Sequence, residues 1–180
     1  MKKTLLLAGV ASVFAFSAQA LEVTPYVGAD YNLNFVNKSS DWDGVMPGKY
    51  HSGSINVGTK VSPYFATEVF GELSKHENKR EIHTNYGAYG VDAFGILPLG
   101  CYGEWEVLGT AGIGRYVFKA KNKEIREHAS GHQWGWRFGG GVQYNITDNW
   151  GVRAMYRHIA FVNDDPRGFD VLSFGVRYAF

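Results

Sequence analysis

Charged side chains recur at alternate positions along otherwise apolar segments of this sequence, and they offer its clearest chemistry. Six carboxylates come first in the chain and four arginines follow them. Opposite charges that are held away from water either pair with one another or line a path for ions. These residues are Asp30, Glu68, Glu72, Asp92, Glu104, Glu106, Arg137, Arg153, Arg157 and Arg177.

Histidine and hydroxyl side chains are the residue types of metal binding and nucleophilic catalysis. All six histidines fall in or beside long polar segments, but none has the HxH or HExxH spacing of a metal site. His51 precedes Ser52, and His83 precedes Thr84. Neighbouring residues on a strand point to opposite faces, so neither pair is placed to act together. We therefore predict no metal, no cofactor and no catalytic residue.

Basic residues are concentrated in two of the polar segments. Such runs attract phosphate groups or acidic glycans, although solvated loops also carry this charge without a ligand. The candidate anion-binding residues are Lys75, Lys79, Arg80, Lys121, Lys123 and Arg126.

The elements that position these residues are strands, because apolar and polar residues alternate with a period of two. In the last segment the even positions form one apolar face, made of Leu172, Phe174, Val176, Tyr178 and Phe180. The same alternation predicts eight strands, over residues 21–36, 50–61, 65–74, 84–95, 102–118, 132–145, 150–161 and 169–180.

Connections between the predicted strands alternate in length. Short turns at 62–64, 96–100 and 146–149 alternate with long polar loops at 37–49, 75–83, 119–131 and 162–168. Aromatic residues gather near both kinds of connection. Long loops at one end, short turns at the other and two aromatic girdles are typical of outer-membrane barrels. Arg115 interrupts an apolar face, which predicts either a bulge or the rim of the membrane.

A secreted soluble barrel would show the same alternation with its apolar face turned inward. Here the polar face is rich in glycine and carries few charges per strand, which suits a narrow interior better than a water-exposed surface. We therefore predict an all-β, eight-stranded antiparallel up-and-down transmembrane β-barrel with its apolar faces toward lipid.

The N-terminus has the pattern of a cleaved export signal. Lys2 and Lys3 precede an apolar segment at 5–16, and Ala18-Gln19-Ala20 fits the cleavage rule. This predicts a signal peptide over residues 1–20 and a barrel over residues 21–180. Cleavage removes two of 18 basic residues, so with 17 acidic ones the mature chain has a net charge of −1, which excludes a generally basic nucleic-acid binder. A single cysteine, Cys101, excludes an internal disulfide.

The last strand also carries a short motif. The spacing of Ser173, Gly175, Tyr178 and Phe180 resembles the C-terminal signal by which bacterial outer-membrane barrels are recognised for assembly. Over residues 21–180 the chain resembles the OmpA/OmpX-like family of small outer-membrane barrels. The resemblance implies export to the outer membrane of a Gram-negative bacterium and recognition of Gly175, Tyr178 and Phe180 by the barrel assembly machinery. A barrel of this kind is expected to contact outer-membrane lipid and lipopolysaccharide, and the basic residues also suit a host or environmental surface ligand.

Eight strands enclose an interior that side chains can fill. Counting from the short turns predicts the ion pairs Glu68–Arg153 and Glu72–Arg157. The fourth strand lies across from the eighth, so Asp92 is expected to reach toward Arg177. We predict a lumen plugged by Glu68, Glu72, Asp92, Arg137, Arg153, Arg157 and Arg177. The predicted role is structural, in envelope integrity or in surface adhesion, without catalysis. The alternatives are a narrow porin-like pore and a barrel enzyme that modifies lipid A.

Overall fold

The computed structural model describes residues 23–37, 49–74, 77–79, 82–100, 103–122, 128–162 and 168–180. The predicted signal peptide lies outside these residues, as does Cys101. The strands are β1 Thr24–Asn37, β2 Lys49–Ser62, β3 Phe65–Ser74, β4 Glu77–Lys79, β5 Ile82–Leu99, β6 Trp105–Asn122, β7 His128–Asn145, β8 Trp150–Phe161 and β9 Gly168–Ala179. None of the described residues belongs to a helix long and apolar enough to span a bilayer.

Antiparallel pairing closes these strands into a barrel. β1 pairs with both β2 and β9, and β3 pairs with β5, so the sheet has no open ends around the ring. The three-residue β4 pairs only with the start of β5, with Glu77 in register with Thr84, so it is not one of the eight strands of the closed ring. The prediction of an eight-stranded antiparallel barrel is confirmed.

Three strands are longer than predicted at the long-loop end. β5, β6 and β7 each contain 18 residues. β6 continues to Asn122 and β7 begins at His128, within the segment 119–131 that was predicted as a loop. β4 likewise falls inside the predicted loop 75–83. The alternation is lost there because a sheet that projects beyond the bilayer meets water on both faces, so polar residues suit either face.

One short turn lies later in the chain than predicted. β5 runs through Pro98 to Leu99, and the turn follows at Gly100 and Gly103, which have φ angles of 91° and 69°. Glycine adopts these angles without steric cost. Pairing of β5 with β3 ends at Gly95, apart from one bond of Ile96 N to Tyr64 O. Pro98 points its nitrogen to the same, unpaired side of β5, where a missing donor is tolerated.

The faces have the predicted orientation. Trp134 and Trp136 point outward and are 51% and 58% exposed, whereas Asp92 and Arg153 point inward and are 0% and 3% exposed. This arrangement excludes the soluble barrel with an apolar interior. β6 keeps a continuous register with both neighbours through Arg115, so of the two predicted alternatives, a bulge or the membrane rim, the bulge is wrong. The Arg115 guanidinium lies 5.9 Å from the centroid of the Trp134 ring instead.

The lumen is less polar than the sequence pattern indicated, because apolar clusters fill both of its ends. The short-turn cluster consists of Tyr26, Ala66, Phe94, Ile96, Leu108 and Met155. The long-loop cluster consists of Phe70, Ala88, Tyr116, Ile159, Phe161, Phe169 and Val171. In the long-loop cluster, Phe161 packs edge-to-face against both Tyr116 and Phe169, with ring centroids 5.1 and 5.2 Å apart. The charged residues of the lumen lie between and beside these clusters.

Candidate functional site

Arg153 is the centre of the charged lumen. Its side chain points inward from β8 and reaches two carboxylates on other strands. Nε and Nη2 donate to the two oxygens of Asp30 at 2.9 and 2.5 Å, and Nη1 and Nη2 donate to Glu68 at 3.0 and 3.1 Å. Each nitrogen of the guanidinium therefore has a carboxylate partner, an arrangement that makes a buried charge tolerable.

Glu68 connects a second arginine to this centre. Its Oε2 also accepts a hydrogen bond from Arg177 Nη2 and one from the Tyr26 hydroxyl at 3.2 Å. The Arg177 guanidinium lies over the Tyr26 ring, 4.4 Å from its centroid. The structure therefore brings Arg177 to Glu68, and the predicted pair of Arg177 with Asp92 is wrong.

Asp92 has a different arginine beside it. Arg137 Nη2 lies 3.4 Å from Asp92 Oδ2, which is a close ion pair without a hydrogen bond. The Arg137 guanidinium stacks on Phe70, 3.6 Å from the ring centroid. The aromatic face thus stabilises the part of this cation that the carboxylate does not reach.

Inward-facing glycines make room for these ion pairs. Gly175 on β9 stands in register between Asp30 on β1 and Arg153 on β8. Gly112 on β6 stands in the same way between Asp92 and Arg137. A Cβ at Gly175 would overlap Asp30 Oδ1, and one at Gly112 would overlap Asp92 Oδ1. Each glycine therefore lets an acidic and a basic side chain meet across the strand that separates them.

Glu72 and Arg157, the remaining predicted pair, are each held by a serine. Ser52 Oγ donates to Glu72 Oε1 at 2.5 Å, and Arg157 Nη1 donates to Ser173 Oγ at 3.2 Å. Both charged side chains are buried, at 4% and 2% exposure. No ion pair joins Arg157 to a carboxylate among the described residues, so the predicted pair is not formed.

Sequence reasoning placed Glu106 on the polar face but missed its basic partner at the short-turn mouth. Lys60 Nζ donates to Glu106 Oε1 at 2.7 Å, and Gln143 Nε2 donates to Glu106 Oε2 at 3.1 Å. Lys60 occupies the polar face of its strand, so the alternation could have identified it. Glu104 is exposed and, with these three residues, lines a cavity of about 480 Å³.

Of the predicted anion-binding residues, Lys79 lies in β4 and Lys121 in β6, while Lys75, Arg80, Lys123 and Arg126 lie outside the described residues. His51 and Ser52 face opposite sides of β2. The His51 ring is 2.5 Å from the Tyr31 hydroxyl on the outside, and Ser52 bonds Glu72 in the lumen.

The predicted assembly residues do not share one face. Gly175 points into the lumen beside Asp30, as described above. Tyr178 and Phe180 lie on the outward side, where Tyr178 packs edge-to-face against Phe180 and Trp150 with ring centroids 5.1 and 5.0 Å apart. The described residues thus place two aromatic side chains of the motif at the lipid-facing end of β9.

Solved structures share this fold at low sequence identity. Neisserial surface protein A has a TM-score of 0.71 and 17% identity, with 87% of this chain and 97% of that one covered. Ail, the attachment invasion locus protein of Yersinia pestis, has a TM-score of 0.61 and 15% identity, covering 90% and 100%. The N-terminal β-barrel domain of Pseudomonas aeruginosa OprF has a TM-score of 0.58 and 15% identity, covering 86% and 97%. One structure of Ail contains the heparin analogue sucrose octasulfate.

Comparison with curated protein sequences gives no match. The family described as outer membrane protein beta-barrel domain matches residues 4–180, nearly the whole sequence. The lipid-facing aromatic residues, the closed ring and the inward ion pairs agree with that match. The chain belongs to the outer membrane protein beta-barrel domain family and is a bacterial outer-membrane barrel.

Proposed function

We propose that this barrel is a structural and surface-interaction protein whose lumen is plugged by its own side chains. The observation that carries the proposal is the bonding of Arg153 to both Asp30 and Glu68, which links three walls of the barrel across its interior. The apolar clusters at the two ends add to this plug. An eight-stranded ring is just wide enough for such side chains, so little room is left for hydrated ions.

Conductance in planar bilayers tests the plug directly. We expect the purified protein to insert without stable unitary currents, because ions would have to displace a buried ion-pair network and an apolar cluster. A variant with both Phe161 and Phe169 replaced by serine serves as the comparison, since it removes apolar rings at the long-loop end. Stable currents through the wild-type protein would contradict the proposal.

A narrow pore is the second candidate, and one observation favours it. Several buried polar atoms in the lumen lack a hydrogen-bond partner among the described residues, including both Asp92 carboxylate oxygens, Arg137 Nε and Arg157 Nε. Buried polar atoms are normally satisfied by protein or water, so these atoms favour an internal chain of water. If currents are observed, replacing Arg157 with glutamine should shift their selectivity toward cations.

For the surface interaction we propose a polyanionic glycan or lipopolysaccharide as the ligand. The support is the concentration of basic residues at the long-loop end and the heparin analogue bound by Ail, a protein of the same fold. We expect binding of immobilised heparin to weaken with added salt and with glutamine at the six candidate positions, because charge supplies the attraction. Glutamine at Lys60, at the opposite end of the barrel, is the control. Heparin binding that is unchanged by added salt and by the six substitutions would contradict the proposal of a polyanionic ligand.

Absence of catalysis is also part of the proposal. Lipid A from cells with and without the gene can be compared by mass spectrometry, and we expect identical acylation and phosphorylation. A consistent mass change of the lipid would identify the protein as a barrel enzyme.

A further inference from the structure

A polar cluster interrupts the apolar outer wall of the barrel on β8 and β9. His158 Nδ1 lies 2.7 Å from Asp170 Oδ1, and the Tyr156 hydroxyl donates to the same oxygen at 2.9 Å. Phe138 of β7 flanks the imidazole, with ring centroids 5.2 Å apart. We call His158, Asp170 and Tyr156 the outward triad. An ion pair in contact with acyl chains alone would be costly, so its depth in the membrane matters.

The triad lies at the outer edge of the hydrocarbon layer. β8 starts at Trp150, an exposed aromatic residue at the short-turn end. With a rise of about 3.3 Å per residue and a strand tilt of about 40°, His158 lies ~20 Å above Trp150. The apolar band of such barrels is about 25 Å tall, so the triad is close to the level of the outer headgroups.

His158 Nε2 is the hydrogen-bonding atom of the triad that concerns a ligand. Asp170 Oδ1 already receives two bonds, whereas His158 Nε2 has no hydrogen-bond partner within the described part of the chain. Nε2 lies beside Gly168, where a Cβ would be in van der Waals contact with it at 3.4 Å, so the lack of a side chain at this glycine leaves Nε2 uncovered on that side. An imidazole with both protons donates from Nε2, and a phosphate oxygen is the strong acceptor available at this level of a membrane.

A shallow groove leads from the triad along the lipid-facing wall. Gly95, Gly109 and Gly140 are paired in one row across β5, β6 and β7, and the row continues to Tyr156. Open space surrounds the position of a Cβ at Gly95 and at Gly109. We call these three residues the glycine furrow. The strands are tilted by about 40°, so this row of paired residues runs obliquely across the lipid-facing wall and away from the level of the triad.

We propose that the outward triad and the glycine furrow form a site for one phosphorylated lipid of the outer leaflet. The phosphate accepts a hydrogen bond from His158 Nε2, and one acyl chain lies in the furrow. Asp170 and Tyr156 act as positioning residues that fix the imidazole. The site is on the outside of the barrel, so it does not depend on whether the lumen is plugged.

Native mass spectrometry of the full-length mature protein tests the headgroup half of the site. The probes are lipid A, lipid A without its phosphates, and phosphatidylglycerol, each added at equal concentration to the detergent-solubilised protein. We expect the wild-type protein to retain a phosphorylated lipid about tenfold better than the dephosphorylated one, since a charge-assisted bond is lost. Preference between lipid A and phosphatidylglycerol then identifies the source of the phosphate.

Two matched pairs of variants make the test specific. His158→Gln should lower retention of the phosphorylated lipid about tenfold, whereas His132→Gln, at an exposed outward position of β7, should leave it unchanged. Gly109→Leu should lower retention by filling the furrow, whereas Gly71→Leu, at an equally open outward position of β3, should not. Circular dichroism verifies that all four variants fold. Equal retention of all three lipids, or retention by His158→Gln at the wild-type level, overturns the proposal.

Discussion

Replacing Arg153 with alanine removes a cation that holds two buried carboxylates. The side chain donates four hydrogen bonds of 2.5 to 3.1 Å to Asp30 and Glu68. These acceptors are only 6% and 2% exposed, so bulk water cannot readily take the place of the guanidinium. The variant would leave two carboxylates near one another with less positive charge between them.

The expected loss can be worked out from the partners that remain. Breaking a buried ion pair by removing one member costs about 3–5 kcal/mol. Glu68 keeps its bonds from Arg177 and Tyr26, and Asp30 keeps one from Asn56 at 2.7 Å. Water that enters the space can solvate the carboxylates in part. We therefore expect a loss at the lower end, about 3 kcal/mol in the free energy of unfolding.

Urea unfolding in lipid vesicles, followed by tryptophan fluorescence, measures this change. Arg115→Ala is the matched control, because Arg115 is an arginine on the outer wall with an aromatic contact and no described carboxylate partner. We expect the control to change the free energy of unfolding by less than about 1 kcal/mol. A further variant, Arg153→Ala with Asp30→Asn, should recover part of the loss by removing one uncompensated charge. If Arg153→Ala is no less stable than Arg115→Ala, the reasoning about the ion-pair network is refuted.

Three further predictions concern the walls and ends of the barrel. Gly112→Ala should destabilise the barrel by about 1–3 kcal/mol because its Cβ overlaps Asp92, whereas Gly109→Ala on the outer wall should be near neutral in the same urea titration. Equal effects of the two substitutions would contradict the claim that Gly112 makes room for the ion pair. Phe169→Ala should cost about 3–5 kcal/mol by opening a cavity in the long-loop cluster, and an unchanged unfolding midpoint would show that this end is not packed. Phe180→Ala should slow assembly of the barrel into membranes that contain the barrel assembly machinery. The change in gel mobility on folding measures the rate of assembly. Unchanged assembly would remove Phe180 from the predicted signal.

The fold could be predicted from the sequence because each strand has one face toward lipid and one toward a narrow interior. The period of two fixes which residues share a face, and the large aromatic residues identify the lipid side. The same reasoning fails where that contrast ends. Beyond the bilayer β6 and β7 continue as strands, although their residues no longer show the alternation of apolar and polar side chains that predicted strands elsewhere.

Pairing within the lumen was harder to predict than the faces. Counting from the short turns placed Glu68 level with Arg153, and those side chains do meet. The same count placed Glu72 level with Arg157, but each of them bonds a serine instead. Asp92 was expected to reach toward Arg177 on the opposite strand, but Arg177 bonds Glu68. Strands in a barrel are tilted and staggered, so residues at equal distance from their turns are not always at equal height. Pairing also requires a glycine on the strand between the two charged residues, and only the strand register shows where such a glycine lies.

The outward triad shows a different limit of sequence reasoning. His158 and Asp170 belong to different strands, and Asp170 lies outside the list of charges that the polar face suggested. Their contact depends on the pairing of β8 with β9, where His158 stands directly opposite Asp170. A polar pair on the apolar face is visible in sequence only as two unrelated exceptions to the pattern.

The route of the Arg153–Asp30 bond has a kinetic consequence. The two residues are 123 positions apart, and the bond runs from β8 to β1 across β9, the last strand of the ring, which pairs with the first strand β1. Contacts between residues so far apart in sequence form late in folding, so this bond forms only after β1 and β9 have paired and closed the ring. An interaction made after the rate-limiting step slows opening without speeding closure. Loss of the Arg153–Asp30 bond should therefore shorten the lifetime of the closed barrel while leaving its rate of formation nearly unchanged.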